Sequence, residues 1–104
     1  MLIDDIHSLL AAPKPAAAKP FLDRVDATLT DGYAHALQLE AERWRIKRRI
    51  GQVVAALPAE TVEAEAPELA ELAQRLRAAN ENIAALRTLL TSLRARRSEI
   101  KAAA

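Results

Sequence analysis

Apolar residues return at alternating steps of three and four along two long stretches of this chain. The first stretch runs Leu22, Val25, Leu29, Gly32, Ala36, Leu39, Arg43, Ile46, Ile50, Val53, Leu57, and the second runs Leu69, Leu72, Leu76, Ala79, Ile83, Leu86, Leu90, Leu93, Arg97, Ile100. That spacing keeps one stripe of an α-helix turned toward a partner helix and is the a/d seam of a coiled coil. Pro20 suits a first helical turn and Pro58 cannot continue a helix, so the first stretch predicts a helix over about 21–57. Pro67, with Glu68 and Glu71 placed where the helix dipole favours acids, predicts a second helix over about 67–101. Each helix has about 36 residues and is about 54 Å long. Near-equal lengths around the connection PAETVEAEAP (58–67) predict an antiparallel helical hairpin, an all-α fold.

The first residues follow a different pattern. Leu2, Ile6 and Leu9 share one helical face, Ile3 and Leu10 lie beside it, and Asp4 and Asp5 occupy the first turn. PKPAAAKP (13–20) then predicts a semi-extended tether, because proline is excluded from helix interiors. The expected organisation is a short amphipathic segment at 1–12, a Pro/Ala linker at 13–20 and a coiled-coil hairpin at 21–104. A helix of about three turns is marginal alone. The segment therefore docks into a partner's groove, swaps onto a second copy, or folds back on the hairpin as a third helix.

Composition narrows the class. The chain has 104 residues, of which 51% are hydrophobic, with one Trp, one Tyr, one Phe and no Cys. A chain rich in Ala, Leu, Glu and Arg with heptad periodicity is a long-helix protein. The absence of Cys excludes a disulfide framework and a thiolate metal site. No apolar run is long enough to span a membrane, and MLIDDIHSLL carries acids where a secretory leader carries bases, so a cytoplasmic location is expected.

The net charge of +1 conceals blocks of opposite sign. Residues 1–42 hold seven acids and three bases, 43–57 five bases and no acid, 58–71 five acids and no base, and 72–104 seven bases and two acids. An antiparallel hairpin sets the acidic half of helix one (Asp23, Asp26, Asp31, Glu40, Glu42) opposite the basic half of helix two (Arg87, Arg94, Arg96, Arg97, Lys101). A parallel in-register dimer would instead stack Arg43–Arg49 on its own copy. The polar seam entries then fall near partners that set register at some cost in stability: Arg43 near Glu81, flanked by Asn80 and Asn82, and Arg97 near Asp26.

The sequence holds no Gly-rich phosphate loop, no metal-ligand spacing and no nucleophile elbow, and His7 and His35 are isolated. No catalytic, cofactor-binding or metal-ligating residue is expected. Two surfaces are candidates for binding a partner. One is RWRIKRR, where Arg43, Arg45, Arg48 and Arg49 surround Trp44, Trp and Arg being the residue types enriched at binding hot spots. The other is the apolar face of Leu2, Ile3, Ile6, Leu9 and Leu10. Tyr33, Leu37, Trp44, Val54 and Leu89 lie off the seam, and two helices form a thin core, so self-association into a four-helix bundle is expected.

Asn80–Asn82 within a Leu-rich helix resembles the flagellar export chaperones, helical proteins that bind secreted subunits. Glu40–Leu57 is similar to helical-hairpin anti-sigma factors that bind cyclic dinucleotides, but the Ser, Gln and Asp of that signature are absent here. Each likeness is confined to the segment quoted, and no site residue is carried over from it. The function expected is a non-enzymatic coiled-coil module that binds itself, as a homodimer, and another protein as adaptor, scaffold or chaperone. The alternative is a regulator holding nucleic acid or an anionic nucleotide on the Arg43–Arg49 cluster.

Overall fold

A computed structural model of the chain describes residues 1–56 and 62–103, with side chains for 1–56 and 65–103. It is all-helical: α1 spans Leu2–Ala11, α2 Ala18–Ala56 and α3 Val62–Ala103, with no strand among the described residues. Leu57 and residues 58–61 of the expected connection lie outside them.

α1 has Met1 as its N-cap, with no side-chain cap, and Asp4 and Asp5 supply the negative charge that its first turn favours. It stops at Ala12, whose φ of −63° and ψ of 139° are extended. Pro13 follows, and a residue before proline is pushed out of the helical region. α2 begins at Ala18, earlier than expected, because Pro20 then falls among the first four N–H positions, where no intrahelical donor is lost.

The start of α3 corrects the sequence reading. Pro67 does not open this helix but sits inside it, since the helix already begins at Val62. A proline there forfeits a backbone hydrogen bond. The run before it, residues 62–66, is rich in Ala and Glu, which are good helix formers.

The chain divides into two compact units. The first comprises Met1–Leu37 and Ala84–Ala104 and so contains α1, the start of α2 and the end of α3. Within it Asp26 meets Arg97 and Gly32 meets Leu90, so the two long helices run antiparallel here. Ile6, Val25, Leu86 and Leu93, the largest fully buried side chains, all belong to this three-helix unit. Phe21, off the predicted seam, is buried here as well.

The second unit, Gln38–Ile83, has two helical segments among its described residues. Ile46, Val53, Leu72 and Ala79 form its buried cluster, and the partly buried Ile50, Leu69 and Leu76 pack against it. Arg43 meets Asn80 and Arg49 meets Glu68, so the segments run antiparallel here also. Leu22 and Leu39 are half-buried, whereas Leu29, Ile83, Leu90 and Ile100 are buried.

Candidate partner-binding surface

The basic segment lies mid-helix on α2, within the two-helix unit. Its seam residue Ile46 is 4% exposed and turns inward. The helical period then carries Trp44, Arg45, Lys47 and Arg48 outward, and all are exposed. Trp44 is 59% exposed, well beyond what an indole keeps in a packed core. The Arg48 guanidinium, one turn further on, lies 5.3 Å from the Trp44 ring centroid, within cation–π range.

The flanking arginines are tied to α3. Arg49 donates from Nε to Glu68 Oε1 at 2.9 Å, and its Nη2 lies 2.8 Å from the same oxygen. Arg43 donates from Nη1 to Asn80 Oδ1 at 3.3 Å. The expected neighbourhood of Arg43 included Asn80, and the hydrogen-bond acceptor is that residue. These contacts are solvent-accessible and worth under about 1 kcal/mol each, so they orient side chains more than they stabilise the fold.

Residues 2–12 were left with several alternatives by the sequence, and the structure takes the fold-back form. Ile6 is fully buried and Leu9 nearly so inside the first unit, so the chain itself covers both. Leu9, Asp5 and Ser8 line one hollow with Arg24, Ala27 and Thr28 of α2. Leu2 and Leu10 are half-buried and Ile3 is 40% exposed, so these are the apolar side chains α1 still offers to solvent.

Arg96 of α3 was expected among the bases facing the acids of α2, but its partner at the end of α1 was not. Its Nη2 donates at 3.0 Å to the Ala12 carbonyl, just past the end of α1. α1 has no base in its last turn, and Arg96 supplies that positive charge from a distant helix. Arg97 makes the expected pair, its Nε donating to Asp26 Oδ1. That hydrogen bond, followed by the Asp26 charge, holds the Arg97 guanidinium pKa above its ordinary value.

The two glycines differ sharply. Gly32 is buried, and a Cβ there would collide with Leu90 Cδ2. Gly51 is exposed, and a Cβ there would meet nothing within 4 Å. Among the described residues no non-glycine and no glycine has positive φ, so neither glycine is needed for its backbone angles.

His7 and His35 are exposed and lie on different helices. Among the described residues no group of three His, Cys, Asp or Glu is placed to hold a metal ion. No helix among them is long and apolar enough to cross a membrane. Tyr33, Arg87, Leu90, Thr91 and Arg94 line a hollow of about 130 Å³ in the first unit. No protein-family model, curated protein or solved structure matches this chain.

Proposed function

We propose that this protein is a non-enzymatic interaction module, an antiparallel coiled-coil hairpin that pairs with a second copy as a four-helix bundle and recruits another protein. The single observation that carries this reading is the open core of the Gln38–Ile83 unit. Ile46, Val53, Leu72 and Ala79 are buried there, but Ile50, Leu69 and Leu76, which pack against that cluster, are only partly buried. In the other unit a third helix is present, and four large side chains are fully buried. Two helix segments cannot enclose a seam from all sides, and a second copy would supply the missing helices.

The alternative, an anionic nucleotide or nucleic acid on Arg43–Arg49, draws less support. Arg43 and Arg49 are engaged with Asn80 and Glu68, and Arg48 lies over Trp44.

The reading is tested by thermal unfolding at protein concentrations a hundredfold apart. Folding coupled to association shifts Tm upward with concentration. A Tm unchanged across that range contradicts self-association.

A further inference from the structure

A glycine in the interior of an exposed helix is unfavourable relative to alanine, because the unfolded chain gains freedom and no contact is made in return. Gly32 has a reason inside the chain, since Leu90 fills the space that a side chain would need. Gly51 has none, because its surroundings within the chain are open. It lies two turns beyond Trp44 and so returns to the same face of α2, with Arg48 between them. A bare backbone beside an exposed indole is the surface that lets another helix approach closely.

Charge selects the occupant. Arg45 and Lys47 lie to either side of the Trp44–Arg48–Gly51 line by helical periodicity, and all of these residues are exposed. A symmetric contact with a second copy would set the basic block 43–49 against itself, because a two-fold interface meets its own surface. Nucleic acid fits less well. Residues 38–83 carry seven bases and eight acids, so the unit has no net positive field to gather polyphosphate.

We infer that the face of α2 formed by Trp44, Arg48 and Gly51 docks an acidic amphipathic α-helix of a partner protein. The partner's backbone crosses at Gly51, its apolar side chains cover Trp44, and its carboxylates meet Arg45, Lys47 and Arg48. This deepens the interaction-module reading by naming the chemistry of the recruited protein, and it rests on that reading.

Trp44 is the sole tryptophan, so its emission reports this face alone. The test titrates the full chain with a synthetic helical peptide carrying leucines at steps of three and four flanked by glutamates. The same peptide with lysines, and a single-stranded thymidine oligonucleotide, are titrated in parallel. The expected result is a saturable blue shift with the glutamate peptide, at least about tenfold weaker binding of the lysine peptide, and no shift with the oligonucleotide. Gly51→Leu, which keeps helix propensity high, should weaken the glutamate peptide by at least about tenfold while leaving the helical signal unchanged. Equal binding of both peptides, no binding of the glutamate peptide up to millimolar concentration, full binding by Gly51→Leu, or a shift with the oligonucleotide would each overturn the inference. Solution mass is read on the same samples. A dimer that ignores the glutamate peptide removes this inference and leaves self-association standing, whereas a monomer that binds the peptide does the reverse.

Discussion

Leu90 occupies the space where a side chain on Gly32 would stand. A Cβ built on Gly32 approaches Leu90 Cδ2 more closely than real Cβ atoms come to a neighbour, and both residues are buried. The two long helices therefore come together at this point through a backbone-to-leucine contact. Gly32→Ala should destabilise the fold by about 1–3 kcal/mol through overpacking, reduced by the roughly 1 kcal/mol that alanine gains as a helix former. Gly51→Ala should stabilise by up to about 1 kcal/mol, since it adds propensity and meets nothing. Urea unfolding of both variants checks the opposite signs, and equal shifts would remove the distinction drawn between the two glycines.

α1 is part of the fold of its unit. Leu9→Ala should cost about 2–5 kcal/mol, as for other buried leucines. Arg96→Met keeps the stem and removes the donor to the Ala12 carbonyl, which should cost about 1 kcal/mol and loosen α1 first. Hydrogen exchange checks this, with faster exchange expected in residues 3–11 of Arg96→Met. Protection of those amides equal to that of the parent chain would show that Arg96 does not hold α1.

The Arg97–Asp26 pair should be insensitive to pH across the neutral and mildly basic range. The folded pKa of Arg97 is raised, chiefly by the hydrogen bond to Asp26. A raised folded pKa contributes stability that is fully present below the unfolded value, itself far above neutral pH, and is lost only as pH rises through the folded value. The difference in urea midpoint between the parent chain and Arg97→Gln should therefore stay constant from about pH 7 to pH 10. A difference that shrinks within that window would mean that another group governs the contact.

Much of the helical pattern was legible in the sequence, because the three-and-four spacing reports which side of a helix turns inward. Val25, Ile46, Leu72, Ile83, Leu86 and Leu93 are buried at seam positions, and Tyr33, Leu37, Trp44 and Val54 are exposed off it. Periodicity shows a face but not what covers it, so the burial of Ile6 and Leu9 within the first unit could not be separated from docking elsewhere. Pro67 misled because proline favours a first helical turn, whereas the helix already begins at Val62 and carries Pro67 in its second turn. Arg96 and Ala12 are 84 positions apart, and no local pattern announces a cap supplied from that distance. Gly51 did carry a signal, a glycine inside a long helix and off the seam, but its open surroundings became visible only once its neighbours were placed.

Sedimentation equilibrium of the full chain from micromolar to near-millimolar concentration decides whether the two-helix unit drives self-association. The mass should rise from the 11.3 kDa of one chain to a plateau at twice that value. A mass that stays at 11.3 kDa throughout would contradict self-association.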